Sequence, residues 1–597
     1  MKKNAPDSRN VIIAVVLSMI VFVSWEYFVV RPQQEAQRQH QLAQQAAEQA
    51  QQQTPTAPGI APPVSSTASP ATPQQAEAIL AGDTARVKLD SETVDGTIRL
   101  TGARFDDLRL KAYHQDVDPK SPEIVFLTPQ GADISTYAEM GWTTGGTSNI
   151  AVPTSTTLWA LSSGQTLTPE TPVTLTWDNG AGLTFTRKIE LDKDYMFTVT
   201  DTVTNASGGP VTLYPYASVA RHGEPKEKTT WVLHEGPVGV LGGTLEDPSY
   251  GDVRDKHEIK TDSTNGWLGL TDKYWMAAVI PPQGEKFTGR YSATPLQGLD
   301  VFRSDYLMAA RSIAPAATTT VVHRLFAGPK INSLINTYEE KGGIYRFNMA
   351  IDWGWFFFFT KPMFWLLDEL YKLIGNFGIA ILALTVVIKG IMFPLANRSF
   401  ESMTKMKKVQ PQIKELQERW KDDKVKLQQE QMALFRREKI NPAMGCLPIV
   451  VQIPVFFSLY KVLFVTIEMR HAPFFGWIQD LAASDPTNIF TLFGLLPFTA
   501  PLWLHLGIWP LLMGFTMWLQ MRLNPPATDP VQQQMMTFMP FLFTYMMASF
   551  PAGLVIYWTW NNILSMSQQY VIMRRMKVPV SLNIPAWMKP KPASPGE

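Results

Sequence analysis

The chain has few of the features that mark a disulfide-bonded, nucleotide-using or zinc-dependent protein. Its 597 residues include one cysteine, Cys446, which excludes an intrachain disulfide framework. The net charge of +1 gives no support for nucleic-acid binding as the main activity. Neither a phosphate-binding GxxxxGKS or GxxxxGKT motif nor an HExxH zinc motif occurs. We therefore expect a protein without a cofactor.

Long apolar runs are present instead, and one of them contains a charge. Lys389 is a lone cation within the apolar run 379–395. A charge inside a membrane span is rare unless it faces a protein interior or a watery cavity, so this run predicts a membrane protein with a polar cavity. The alternative is that Lys389 snorkels, because it lies about six residues, roughly 9 Å, from the cytoplasmic end of the run.

The amino-terminal part predicts a membrane anchor followed by a flexible linker. Residues 1–10 carry three basic side chains and should stay in the cytoplasm, and residues 11–30 can span roughly 30 Å of bilayer. A cleaved signal peptide fits poorly, because no small-residue cleavage site follows. Residues 31–78 are rich in Gln, Ala, Pro, Ser and Thr and predict a low-complexity periplasmic linker.

Residues 79–343 predict a large all-β domain on the periplasmic side. Runs such as 173–191 and 211–220 alternate apolar and polar residues between turn signals, which is typical of antiparallel hairpins in a β-sandwich. The alternative is a carbohydrate-binding or enzymatic domain, since His222 lies near Glu224. The histidines of the domain show no metal-ligand spacing, so we expect neither a metal site nor catalytic residues.

The carboxy-terminal part predicts five further spans, which with the anchor make six. In chain order, its predicted segments are an interfacial amphipathic helix (344–373), a span (374–397), a cytoplasmic hairpin (398–440), a span (441–466), a periplasmic loop (467–504), a span (505–522), a cytoplasmic loop (523–533), two spans (534–551 and 552–573) and a cytoplasmic tail (574–597). The basic residues place both termini in the cytoplasm. The predicted fold is an α-helical polytopic membrane protein with a periplasmic β-domain.

Segment 398–440 predicts a cytoplasmic helical hairpin. Basic side chains outnumber acidic ones in it, as is usual for short cytoplasmic loops. Apolar residues from Met406 to Trp420 recur at a spacing of three and four, which is typical of a helix packed on a partner helix, and Asp422 and Asp423 mark the turn. The hairpin is either a solvated connector or a docking arm for a polyanionic partner such as a ribosome, and charge alone does not choose between them.

The predicted spans contain prolines and polar side chains that hydrocarbon disfavours. The polar residues are Thr385, Gln452, Asn561, Asn562, Gln568 and Gln569, and the prolines are Pro448, Pro454, Pro510 and Pro540. Amides and freed carbonyls need hydrogen bonds in a membrane, so the spans either pack tightly or line a watery groove. Together with Lys389, these residues favour a groove.

Four long motifs occur in the order of a known family. They are IKGIMFPL (388–395), NPAMGCLPIVVQIPVFFSLY (441–460), DPVQQQMMTFMPFLFT (529–544) and FPAGLVIYWTWNN (550–562). In these motifs the chain resembles the YidC family of bacterial inner-membrane protein insertases, within the YidC/Oxa/Alb superfamily. The resemblance covers 344–576 and is weaker at GARFDDLRLKAY (102–113) in the outer domain. It implies that the β-domain is a supersandwich related to sugar mutarotases.

The chain departs from the family pattern in two places. The family usually has an arginine at the position of Lys389, so the positive charge is kept while the bidentate guanidinium geometry is lost. The outer segment 487–510 is also longer than the family pattern.

The resemblance implies a passive insertion mechanism with no catalytic step. A nascent membrane segment would place its polar flank in a cytoplasm-open groove while its apolar part slides into lipid, driven by burial of roughly 20 apolar residues. The implied groove residues are Lys389, Thr385, Gln452, Asn562 and Gln568. The implied sliding surface consists of Leu447, Pro448, Met546, Tyr557 and Trp558.

The resemblance also implies partners and a location. The partners are nascent inner-membrane proteins, the lipid bilayer, the Sec translocon at the outer domain, and the ribosome and signal recognition particle pathway at the hairpin and basic tail. The location is the bacterial cell inner membrane.

Two alternatives stand beside insertion. A transporter or channel would use Lys389 as an ion or proton site, although the polar residues are biased toward the cytoplasmic half. A carbohydrate-binding outer domain on a passive anchor would not need six spans with internal polar residues.

Overall fold

The computed structural model describes residues 75–145, 150–225, 233–296, 298–441, 444, 447–494, 496, 501, 505–524 and 530–579, apart from the side chains of 424, 448–449, 493–494 and 530–533. The predicted anchor at 11–30, most of the linker and the end of the tail lie outside the described residues. Every element named below belongs to one compact unit, residues 62–143 and 151–597. Of the second unit, residues 1–61 and 144–150, only positions 144, 145 and 150 are described.

The first part of the described chain is almost entirely β-structure. Its strands are β1 (Arg86–Asp90), β2 (Val94–Arg99), β3 (Arg104–His114), β4 (Glu123–Leu127), β5 (Ser135–Thr143), β6 (Ala160–Ser163), β7 (Thr166–Leu167), β8 (Val173–Asp178), β9 (Leu183–Leu191), β10 (Met196–Asn205), β11 (Val211–His222), β12 (Gly236–Leu241), β13 (Thr244–Glu246), β14 (Glu258–Ser263), β15 (Trp267–Thr271), β16 (Trp275–Ile280), β17 (Phe287–Leu296), β18 (Leu299–Met308), β19 (Arg311–Ile313) and β20 (Thr318–Pro329).

These strands form two large sheets in the described part of the chain. The 11-stranded sheet has the order β14-β17-β18-β11-β5-β3-β2-β1-β7, with β19 beside β11 and β4 beside β3. The 9-stranded sheet has the order β13-β12-β15-β16-β20-β10-β9-β8-β6. The predicted periplasmic β-sandwich is therefore confirmed as a two-sheet domain.

Strand β9 illustrates why the sequence folds this way. Its residues alternate between buried and more exposed positions, as the period of two requires when one face lies on a core. It pairs antiparallel with β8 before it and β10 after it. The turn into β9 carries Asn179, whose side-chain oxygen accepts hydrogen bonds from the backbone of Ala181 and Leu183.

A buried ion pair links the two sheets. The Arg187 guanidinium on β9 donates from Nε and Nη2 to the two carboxylate oxygens of Asp201 on β10, each at 2.7 Å. The same Nη2 donates to the backbone oxygen of Met140 on β5 in the other sheet, also at 2.7 Å. Arg187 is 1 % exposed, so the pair satisfies charges that would otherwise be costly to bury.

The helices are concentrated in the second part of the chain. They are α1 (Ala76–Gly82), α2 (Tyr250–Lys256), α3 (Asn332–Glu340), α4 (Phe357–Ile374), α5 (Phe377–Lys408), α6 (Gln410–Arg419), α7 (Lys424–Arg437), α8 (Leu447–Val465), α9 (Ile508–Leu523), α10 (Pro530–Met547) and α11 (Ala552–Arg575). Helix α1 begins inside the segment that the sequence assigns to the linker, so the ordered domain starts slightly earlier than predicted.

The interfacial helix predicted over 344–373 is shorter than expected. Helix α4 begins only at Phe357, after a 3-10 turn at Phe347–Ala350. The backbone takes positive φ at Arg346 (53°) and at Gly354 (71°), which is incompatible with a right-handed helix. At the other end, Gly375 adopts the left-handed conformation and ends α4, as glycine commonly does.

Helix α5 is the longest helix described. It starts at Phe377, where the Asn376 side chain accepts a hydrogen bond from the backbone of Ile379, and it continues beyond the predicted span end at 397. Within the described residues, α5 alone is both long and apolar enough to cross a membrane, and 450–465 is a shorter apolar helix. The six-span topology therefore stays a prediction.

The other carboxy-terminal helices begin and end close to the bounds that the apolar runs suggest. Helix α10 ends at Met547 and α11 begins at Ala552, so the chain turns at the predicted FPAG sequence. Asp485, which is 1 % exposed, organises the start of α9, because its carboxylate accepts hydrogen bonds from the Trp477 indole and from the backbone of Trp509.

Helices α6 and α7 are joined by a short turn and share a small apolar core. Asp423 caps α7 by accepting a hydrogen bond from the backbone of Lys426 at 3.0 Å. The buried residues of this core are Val409, Ile413, Leu434, Phe435 and Ile440. The described basic side chains of the two helices are exposed, namely Lys414, Arg419, Lys426, Arg436 and Arg437.

Candidate functional site

The candidate site is centred on Lys389 in α5. Its ammonium group donates a hydrogen bond to the Ser565 hydroxyl of α11, with 2.7 Å between Nζ and Oγ. The Ser565 hydroxyl donates in turn to the backbone oxygen of Asn561, one turn earlier, at 2.8 Å. The partner of the cation is thus a neutral hydroxyl, and this contact does not cancel the positive charge.

Thr385 lies one helical turn before Lys389 on the same face of α5. It is 1 % exposed, and its hydroxyl donates to the backbone oxygen of Ile381 at 2.7 Å. The hydroxyl proton is therefore used within the helix, while the oxygen keeps acceptor capacity.

Three more of the predicted groove residues bridge helices. Gln452 on α8 donates to the Tyr557 hydroxyl on α11. The Asn562 amide on α11 donates to the Thr516 hydroxyl on α9 at 3.2 Å. Gln568 on α11 joins the Asn397 amide on α5 at 2.9 Å.

Helix α11 is therefore the element that brings the site together. Its polar side chains reach three different helices, and their partners are neutral groups except for the Lys389 ammonium, which bonds Ser565. Apolar packing between helices does not require amide side chains. In a membrane such amides need hydrogen-bond partners. The arrangement can bind and release polar groups without moving a proton or breaking a bond.

Some residues of the predicted sliding surface are exposed, and others are buried. Met546 on α10 is 42 % exposed, and Leu447 at the start of α8 is partly exposed. Tyr557 is 1 % exposed. Trp558 packs between two phenylalanine rings, and the side chain of Pro448 lies outside the described residues.

Sequence reasoning missed the partners of the site residues. Ser565, Asn397 and Thr516 are small polar residues without an unusual sequence setting. Only Ser565 carries a usable signal, because it lies three residues from both Asn562 and Gln568 and so shares their helix face.

Comparison with known proteins gives concordant results across the chain. The family model described as the YidC periplasmic domain matches residues 86–366, and the one described as the 60Kd inner membrane protein matches residues 369–579. The chain is 50 % identical to the membrane protein insertase YidC of Methylobacterium radiotolerans, over 96 % of each chain. It is 49 % identical to that of Brucella suis biovar 1, over 98 % of this chain and 99 % of the relative.

Solved structures are similar at low sequence identity. A YidC insertase crystal structure with the first transmembrane domain resolved is 16 % identical, covers 81 % of this chain and 92 % of its own, and has a TM-score of 0.36. A galactose mutarotase related enzyme from Lactobacillus acidophilus is 9 % identical, covers 40 % of this chain and 97 % of its own, and has a TM-score of 0.29.

Proposed function

The chain belongs to the YidC family of membrane protein insertases, and from this premise we propose that it integrates and helps fold inner-membrane proteins through a polar groove open to the cytoplasm. The observation that carries the proposal is the contact between Lys389 and Ser565. Among the described residues the hydrogen-bond partner of this cation is a neutral hydroxyl, so its charge stays available to a passing polar group. No chemical step is needed, and the protein is not an enzyme.

In this mechanism the groove residues act on the polar flank of a nascent segment. Lys389 attracts acidic or dipolar groups, since a positive charge in a site of low dielectric acts strongly. Thr385, Gln452, Asn562 and Gln568 offer hydrogen bonds that replace part of the lost hydration. Because these side chains already pair with neutral groups, exchanging one hydrogen-bond partner for another costs little free energy.

The apolar part of the client moves along the surface near Leu447, Pro448 and Met546 and leaves into lipid. Tyr557 and Trp558 support this surface from beneath, where their rings pack against neighbouring helices. The net driving force is burial of roughly 20 apolar residues in the bilayer, so no nucleotide is consumed.

The proposed topology has six spans, with both termini and the α6–α7 pair in the cytoplasm and the β-domain in the periplasm. Helix α4 lies in the membrane interface. Its exposed face carries large apolar residues such as Phe357, Phe358 and Trp365, while Phe364 and Leu367 face the protein. Such a face suits the boundary between headgroups and acyl chains.

The proposed partners follow from charge and position. The α6–α7 pair buries its apolar residues against itself and exposes basic side chains, which suits the ribosome and the signal recognition particle pathway. The β-domain is the part available to the Sec translocon on the outer side.

The test is to deplete the protein in cells and to complement with wild type, Lys389→Arg, Lys389→Ala or Lys389→Glu. Integration of a short two-span client is followed by protease accessibility. We expect Lys389→Arg to support integration, Lys389→Ala to reduce it and Lys389→Glu to abolish it. Lys188→Glu, at an exposed position of strand β9 in the β-domain, is the matched control for a charge reversal.

Equal integration by all four proteins would mean that Lys389 only snorkels, and the groove mechanism would be abandoned. A proton or ion leak that depends on Lys389, with integration unchanged, would favour the transporter or channel instead.

A further inference from the structure

The outer end of α8 meets the β-domain through three charged residues. Lys461 lies in the last turns of α8, and Glu468 and Arg470 follow within a few residues of its end at Val465. Each of them contacts a segment that lies more than a hundred residues earlier in the chain. We call this set, with its partners, the outer joint.

The first contact is an ion pair. Lys461 Nζ lies 2.7 Å from Asp352 Oδ2, which also accepts a hydrogen bond from the backbone of His234 at 3.3 Å. The other carboxylate oxygen accepts from the backbone of Gly354 at 2.9 Å. Although burial acts to raise it, the Lys461 ammonium leaves the pKa of the Asp352 carboxyl below its ordinary value.

The second contact completes a helix. Helix α3 has Ile331 at its N-cap, a residue without a capping side chain. Glu468 supplies the missing acceptor, since its Oε1 lies 2.9 Å from the backbone nitrogen of Asn332. A carboxyl oxygen at a helix N-terminus satisfies a free backbone N–H group.

The third contact runs from the loop after α8 back to the β-domain. Arg470 Nη2 donates to the backbone oxygen of His114 at 2.6 Å, and its guanidinium lies 5.5 Å from the Trp275 ring centre. In the opposite direction, Lys273 of the β-domain places its ammonium 3.8 Å from the ring centre of Phe464 on α8. Such cation–π interactions stabilise the contact between α8 and the β-domain, because the positive charge is attracted to the face of the ring.

The joint lies on the helix that carries part of the groove. Gln452, which bonds Tyr557, is on α8 about nine residues, roughly 13 Å, before Lys461. Pro454 lies between them and leaves one carbonyl of this continuous helix without its usual donor, which weakens the helix locally. Contacts at the outer end of α8 therefore help to fix the position of the helix.

We propose that Lys461, Glu468 and Arg470 are positioning residues for insertion: they clamp the outer end of α8 to the β-domain and thereby hold Gln452 against Tyr557. The proposal rests on the proposed function, because it assigns to the outer domain a structural part in the groove. It also names the parts of the outer domain that matter for this purpose, which are α3 and the loop around Asp352.

The test uses the full chain with Cys446→Ser and a single reporter, Ser458→Cys. Ser458 is 1 % exposed on α8 and lies one turn before Lys461, and the change adds little volume. The rate of reaction with a membrane-permeant maleimide then measures how often α8 opens. Client integration is measured in the same strains.

We expect Lys461→Met and Glu468→Leu to raise the labelling rate about tenfold or more, because removing one partner of a buried charged contact is strongly destabilising. Glu468→Gln keeps an acceptor oxygen for Asn332 and should label slowly. The double variant Asp352→Asn with Lys461→Met removes both charges and keeps an acceptor oxygen at position 352 for the backbone donors, so it should label more slowly than Lys461→Met alone. Lys188→Met, at an exposed ion pair with Glu190, is the matched control and should change neither.

Unchanged labelling in Lys461→Met and Glu468→Leu would overturn the proposal, whatever happens to integration. Faster labelling with full integration would also overturn it, because the joint would then hold α8 without serving insertion. Neither result would contradict the proposed groove mechanism, which is tested separately by the Lys389 variants.

Discussion

Two cations, the buried Arg187 of the β-domain and the partly buried Lys389 of the helical part, have opposite kinds of partner. In the β-domain, buried guanidinium groups meet carboxylates, as Arg187 meets Asp201 at 2.7 Å. In the helical part, Lys389 meets the hydroxyl of Ser565. Removing one partner of a buried ion pair leaves an uncompensated charge and is strongly destabilising, so such pairs hold the strands that carry them in one arrangement. A cation on a hydroxyl can change partners, which suits a surface that handles passing polar groups.

The largest effect expected from this contrast is in the β-domain. Arg187→Met leaves Asp201 buried without its guanidinium partner and should lower the free energy of unfolding of the domain by about 3–5 kcal/mol. The measurement is the urea concentration at which the domain becomes sensitive to protease in membranes.

The double variant Arg187→Met with Asp201→Leu should recover most of that loss, because it removes both charges. Lys188→Met, at the neighbouring exposed position, should cost at most about 1 kcal/mol. A single variant Arg187→Met that resists urea as well as the wild type would show that the pair does not fix the domain.

A smaller effect on stability, dependent on pH, is expected at the outer joint, where the carboxyl of Glu468 can gain or lose a proton. Burial raises the pKa of Glu468 from 4.5 to about 7, and the Asp368 carboxylate of α4 adds to the shift. Tyr113 of β3 is the other titratable group that interacts with it. Below about pH 4.5 the carboxyl is protonated in both folded and unfolded chains, so the joint is most stable there. Stability is lost as the pH rises through 7.

The labelling rate at Ser458→Cys should therefore rise between pH 5 and pH 8 relative to the same reporter in Glu468→Gln, which cannot ionise. The ratio removes the pH dependence of the maleimide reaction itself. A constant ratio over this range would mean that Glu468 does not ionise in the joint.

The smallest stability effect is expected at the groove. Lys389→Met removes a hydrogen bond to a hydroxyl that keeps its bond to Asn561, so the helical part should lose only about 1 kcal/mol. Client integration should nevertheless fall well below the wild-type level. Thermal unfolding in detergent, followed by helix content, provides the measurement. A loss as large as that of Arg187→Met would remove the distinction between the two regions.

The periodicity of the sequence was sufficient to predict the strands, because the alternation of buried and exposed residues along a strand is a local property of the chain. Residues 183–191 alternate in the sequence and alternate in burial, as a strand on a core must. The apolar runs also placed α9, α10 and α11 to within a few residues, whereas α5 continues to Lys408, beyond the predicted span end at 397. The late start of α4 could not be predicted, because the positive φ at Arg346 comes from its tertiary surroundings and has no signal in the residue itself.

The candidate site was predictable only in part. Lys389 and Gln452 stand out because a polar residue in an apolar run is costly and therefore conspicuous. Their contacts are not visible in the same way, since Lys389 and Ser565 are separated by 176 positions and Lys461 and Asp352 by 109. No local pattern relates residues at such separations.

The cap that Glu468 places on α3 also orders events during synthesis. The cap and the helix are 136 positions apart. At 5–20 residues per second, translation reaches Glu468 about 7–27 s after Asn332. Throughout that interval α3 lacks this N-terminal acceptor, so its cap can form only after the whole of α8 has been made. Completion of the outer joint during synthesis therefore depends on a helix that is made after the β-domain.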